Sequence, residues 1–61
     1  MPMVRVEMYP GRTRQQKADL AKAITEAVVK IAKTTAEATH VVFVEVPKSD
    51  WAIAGKLTDE S

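Results

Sequence analysis

A chain of sixty-one residues has room for one domain and no second core, and a domain this small buries only about 60% of the surface its unfolded chain exposes. Nine Lys and Arg against eight Asp and Glu leave a net charge of +1, without the basic stripe that binding to nucleic acid requires. Cysteine is absent and His40 is the only histidine, so disulfides and thiolate zinc sites are excluded and no structural metal is expected; association is then the remaining way to stabilise so small a scaffold.

Residues Met3 to Tyr9 alternate, with Val4, Val6 and Met8 on one side and Arg5 and Glu7 on the other. This is the period of a half-buried strand, and Pro10-Gly11 ends it as a turn pair. Thr13, followed three residues later by Gln16, fits a capping box that opens a helix. Leu20, Ile24, Ala27/Val28 and Ile31 then recur at helical spacing, which predicts a helix from about Arg14 to Lys33, weakened at Thr34-Thr35. Glu26 and Lys30 stand as a favourable i,i+4 pair, Lys30 and Lys33 suit the negative end of the helix dipole, and the lysines as a group are expected on a solvated face. His40 to Val46 reads as a second strand, rich in β-branched residues and nearly apolar on both faces, as strands covered on both sides are. Pro47 breaks it, and Lys48 and Asp50 read as turn residues. Trp51 to Gly55 is a short apolar segment, expected to form a small extended or hairpin element that packs on a neighbour.

The fold expected is α/β (α+β): a single β-α-β unit spanning residues 1–61, with parallel strands, a right-handed crossover and a short C-terminal hairpin. One helix covers one face of a two-stranded sheet. Either Val42, Val44 and Val46 or Val41 and Phe43 then lie open to water, and an exposed apolar face of this kind marks an interaction surface. Oligomerisation is expected to complete the fold. The first residues lack the pattern of a signal peptide, and no apolar run reaches the roughly 18 residues of a membrane span. A soluble cytoplasmic protein without membrane partners is the expectation.

Familiar catalytic constellations are missing: no Ser-His-Asp set, no glycine-rich phosphate loop and no HExxH helix can be placed. The carboxylates fall mostly where a solvated surface puts them. Pro2 is different. A small second residue permits removal of Met1, leaving a secondary amine at the start of the first strand. An α-amino group titrates at about 8 in water, and burial or nearby cations lower that value. A base poised near neutral pH suits proton transfer at carbon beside a carbonyl.

Pro2, the alternating strand, Gly11-Arg12-Thr13, Gln16-Lys17, the long helix, Val44-Glu45-Val46, Lys48, Trp51 and Ala52-Ile53-Ala54-Gly55 together resemble the 4-oxalocrotonate tautomerase family over nearly the whole chain. The resemblance implies an isomerase without cofactor or metal that interconverts the enol and keto forms of a small, anionic 2-hydroxy or 2-oxo acid. Pro2 takes the role of catalytic base, Arg12 that of the arginine binding a substrate carboxylate, and Trp51 that of the aromatic wall keeping the site dry. It also implies a homohexamer, a trimer of dimers, with each site shared between subunits. Dicarboxylate-converting members carry a second arginine at the start of the second strand. Here that position is His40, whose imidazole lacks the guanidinium fork and makes no bidentate carboxylate contact. Similar scaffolds also perform hydration and dehalogenation. The alternative reading is a non-catalytic self-assembling protein, or one subunit of a hetero-oligomer, that keeps the fold without the activity.

Overall fold

The structure, a computed structural model, describes residues 2–60 of the chain. Strand β1 (Met3–Met8) leads through the Pro10-Gly11 turn into helix α1 (Arg14–Ala32), and strand β2 (His40–Glu45) follows. A single 3-10 turn (Lys48–Asp50) then leads to two short strands, β3 (Ala52–Ile53) and β4 (Lys56–Leu57). The β-α-β unit and the C-terminal hairpin are thus as expected from the sequence.

The helix starts where its capping chemistry places it. Thr13 Oγ1 accepts from the Gln16 backbone N–H at 3.1 Å, and Gln16 Oε1 accepts from the Thr13 N–H at 2.9 Å. Two of the four orphan donors of the first turn are satisfied reciprocally. The helix stops one residue before the expected end because Lys33 turns left-handed (φ 58°, ψ 52°). The segment to β2 is tied by Thr35, whose Oγ1 accepts from the Ala38 N–H at 3.2 Å and whose carbonyl accepts from Thr39 Oγ1 at 2.8 Å.

β1 and β2 pair in parallel, from Met3 opposite His40 to Met8 opposite Glu45. Two further bonds prolong the pairing: the His40 N–H donates to the Pro2 carbonyl at 3.0 Å and the Val46 N–H to the Met8 carbonyl at 2.8 Å. Since side chains alternate across a strand, Val4, Val6, Met8, Val41, Phe43 and Glu45 share one face. That face is the helix's, because Lys17 reaches Glu45 at 2.7 Å. Met3, Arg5, Glu7, His40, Val42 and Val44 share the opposite face, which no element among the described residues covers. Of the two alternatives left open by the sequence, Val42, Val44 and Val46 or Val41 and Phe43, the uncovered face is that of Val42, which is exposed, while Val44 and Val46 are half-buried like Val41 and Phe43. The expected Glu26–Lys30 pair does not form; ion pairs among the described residues are Arg5–Glu7 at 3.2 Å and Lys17–Glu45. Lys17 is therefore turned toward the sheet rather than into solvent with the other lysines.

No described residue, apolar or polar, is buried. Ile31 on the helix is 78% exposed, Met3 on the open sheet face 66% and Ile53 on the hairpin 62%, so all three layers end in uncovered apolar surface. The radius of gyration is 14.6 Å, against about 10.5 Å for a globular chain of this length. The accessible surface is 4852 Å², against roughly 3900 Å² for a compact monomer of this mass. A protomer with these dimensions needs copies or partners to exclude water from its apolar faces. Among the described residues no helix is long and apolar enough to cross a membrane.

Sedimentation at micromolar protomer concentration is expected to give a mass several times 6.7 kDa, and Val42→Glu at the centre of the open face is expected to weaken assembly. The hairpin provides a second test. Ala54 and Gly55 have φ of 54° and 80°, the two positive values of a type I′ turn, and alanine is disfavoured there by its Cβ. Ala54→Gly should raise stability by up to about 1 kcal/mol, read as a higher thermal midpoint at matched protomer concentration.

Candidate active site

The parallel register divides the four candidate residues into two pairs. Pro2 and His40 meet at the end where both strands begin, joined through the 3.0 Å bond from the His40 N–H to the Pro2 carbonyl. Proline opens a strand without loss, since it has no N–H to offer the sheet. Its carbonyl is fixed by the bond while its ring nitrogen takes no part in the pairing. The His40 side chain lies on the uncovered sheet face beside Val42 and is exposed.

Arg12 and Trp51 lie at the other end, where both strands finish. Arg12 occupies the short loop between β1 and the Thr13 cap, after Gly11, whose φ of 120° belongs to glycine. Arg12 makes no hydrogen bond or ion pair with the described residues. With Met8, Gln16, Lys17 and Leu20 it lines an open cleft of about 300 Å³, solvent at its mouth included. Gln16 Oε1 is already occupied by the capping box, so the amide presents only its NH₂ group.

Trp51 is held from both directions. Its backbone N–H donates to the Lys48 carbonyl at 3.2 Å and its carbonyl accepts from the Thr58 N–H at 2.8 Å. Thr58 Oγ1 donates to the same Lys48 carbonyl at 3.0 Å. The indole packs on Tyr9, with ring centroids 4.6 Å apart and planes inclined at 57°, and Lys48 Nζ lies 5.4 Å from the centre of the Tyr9 ring. Such aromatic pairs contribute about 0.5–1.5 kcal/mol beyond their area. Tyr9 was legible only as the last residue of a strand, although an aromatic side chain just before a Pro-Gly turn could have signalled a packing role. Lys17 and Glu45, read as surface charges, were missed for a similar reason: their pairing joins residues far apart in sequence.

The two pairs do not meet within one protomer. At about 3.3 Å per residue, the strand from Pro2 to Tyr9 spans roughly 23 Å, and Arg12 lies beyond it. A group that touched both Pro2 and Arg12 would have to find them on different copies.

Comparison with known proteins bears on the chemistry. The Tautomerase family, described as "Tautomerase enzyme", matches residues 2–60. A probable tautomerase of Ralstonia nicotianae is 40% identical over 60 residues, covering 98% of this chain and 92% of that protein. The crystal structure of YwhB, a homologue of 4-oxalocrotonate tautomerase, superposes with a TM-score of 0.94 at 37% identity, covering 98% of both chains. A heterohexamer 4-oxalocrotonate tautomerase from Chloroflexus aurantiacus J-10-fl gives a TM-score of 0.91 at 30% identity, covering 98% of this chain and 97% of the other.

Because Arg12 makes no hydrogen bond or ion pair among the described residues, Arg12→Ala should change folding stability by less than about 0.5 kcal/mol. Denaturation of the variant beside the parent protein, at equal concentration, checks this.

Proposed function

Since this chain belongs to the tautomerase family, we propose that it catalyses enol–keto tautomerisation of a small 2-hydroxy or 2-oxo acid, with the amine of Pro2 as the base once Met1 is removed. Met1 lies outside the described residues, so its removal belongs to the proposal. The observation that carries this reading is the separation of Pro2 from Arg12 along one strand, on a protomer whose sheet face is uncovered. A two-fold axis across the strands sets the beginning of one copy's β1 beside the end of another's. Pro2 of one subunit then faces Arg12 and Trp51 of the next, and a homohexamer built from such dimers repeats the shared site.

In that site Arg12 binds the substrate carboxylate through a charge-assisted contact and draws electron density toward it. The Pro2 nitrogen, unprotonated, takes the proton of the enol hydroxyl. The oxygen lone pair forms the carbonyl, the carbon–carbon π electrons move outward, and the ammonium of Pro2 returns the proton to carbon. Base and conjugate acid are the same group, so neither metal nor cofactor enters the balance. Trp51 excludes water from the amine, which favours its neutral form. His40 offers one hydrogen bond to a substrate oxygen, which suits acids with a single carboxylate better than dicarboxylates.

The rate should rise with pH through one ionisation and then level off, because only the unprotonated amine accepts the proton. That ionisation should lie below about 8, since the Arg12 cation and the apolar wall both disfavour the ammonium. Protein lacking Met1, verified by intact mass, should turn over a small enol acid, and protein retaining Met1 should not, because an amide nitrogen has no basicity. Equal rates for the two would falsify the assignment of the base. Arg12→Ala should lower kcat/KM by a factor corresponding to about 2–3 kcal/mol.

A further inference from the structure

The Arg12 cleft has two cations at its rim, but only one of them is unpaired. Lys17 lines the cleft beside Arg12, and its ammonium is held 2.7 Å from Glu45 Oε2. Both side chains are about one-third exposed, so solvent screens the pair only partly. Glu45 ends β2 directly opposite Met8, itself a wall of the cleft. The remaining lining is uncharged: Met8, Leu20 and the Gln16 amide. Arg14 and Asp19 do not line the cleft, and Asp19 accepts from the Gln15 amide at 2.9 Å. The cleft thus presents a single net positive charge, because a carboxylate from β2 cancels the second cation.

We propose that Glu45, acting through Lys17, is the specificity-determining residue that matches this cleft to monoanionic acids and holds its affinity for dianions down. The proposal deepens the reading of Arg12 as the carboxylate-binding residue and rests on it. With Glu45 present, a second carboxylate entering the cleft finds Lys17 already engaged and a carboxylate beside it. With Glu45 neutralised, Lys17 becomes a second anchor. The sign of the effect separates this role from a structural one. Loss of a mere strap between α1 and β2 weakens binding of every anion alike, whereas loss of Glu45 charge here improves binding of one class.

Crotonate and fumarate make a suitable pair of probes, since both are trans but-2-enoic skeletons and differ in a terminal methyl against a second carboxylate. Their dissociation constants are measured on the assembled, full-length protein from chemical-shift changes of the Gln16 and Lys17 backbone amides. Glu45→Gln keeps the shape and a hydrogen-bond acceptor for Lys17. It should raise the affinity for fumarate relative to crotonate by about threefold to tenfold, the range expected for one partly screened charge. Lys17→Met should lower affinity for both probes, for fumarate more, because the Glu45 carboxylate then faces the anion without a partner. An unchanged fumarate-to-crotonate ratio in Glu45→Gln, with the oligomer intact, overturns the proposal. Arg12→Ala distinguishes the two layers of the argument. If it removes binding of both probes while the Glu45→Gln ratio stays flat, the carboxylate site stands and the role of Glu45 fails. If it leaves binding intact while that ratio shifts, Glu45 governs an anion cleft in which Arg12 is not the anchor.

Discussion

The parallel pairing of Met3–Met8 with His40–Glu45 decides at which end of the sheet Pro2, His40, Arg12 and Trp51 lie. In an antiparallel pair the start of one strand would meet the end of the other, and Pro2 would approach the turn that follows β2. Parallel pairing instead brings the two beginnings together and the two ends together. Pro2 is joined to the His40 backbone, while the loop bearing Arg12 and the segment bearing Trp51 emerge side by side roughly 23 Å away. A crossover is obligatory between such strands; here it is the helix, and its capping box fixes where the Arg12 loop ends.

The same pairing leaves one sheet face bare. A single crossover helix covers only Val4, Val6, Val41, Phe43 and their neighbours, and even these remain half-buried. Met3, Val42, Ile31 and Ile53 are exposed apolar groups on three different surfaces. In the proposed two-fold arrangement, assembly would serve stability and chemistry by one act, since covering the bare face with another copy would also bring the opposite ends of two β1 strands together. A protomer with a closed core would have no such requirement, and its Pro2 and Arg12 would stay apart.

Local devices then sharpen what the topology allows. Proline just before β1 gives up no sheet hydrogen bond, so its ring nitrogen stands there without cost to the pairing. At the far end, Tyr9 against Trp51 and the double use of the Lys48 carbonyl hold the C-terminal segment in place. The Lys17–Glu45 pair joins the helix's first turn to the end of β2 and sets the charge of the cleft beside Arg12.

Much of this was already legible in the sequence, because it is written in local periodicity and local capping. Alternation at Val4, Val6 and Met8, the Pro10-Gly11 break and the Thr13–Gln16 capping box follow from neighbours within a few residues, and the expectation of association from the length of the chain and its lack of cysteine. The helix end was legible only to within a residue, since Lys33 carries no mark that it would turn left-handed. The candidate residues Pro2, Arg12, His40 and Trp51 could be named from a family resemblance, but their division between two ends of the sheet could not. Which face of β2 meets the helix, the Tyr9–Trp51 packing and the engagement of Lys17 by Glu45 rather than of Lys30 by Glu26 were likewise decided by tertiary structure. The reason is physical: each depends on strand register and on contacts between residues distant in the chain, and local patterns carry no information about what a side chain will meet across a sheet.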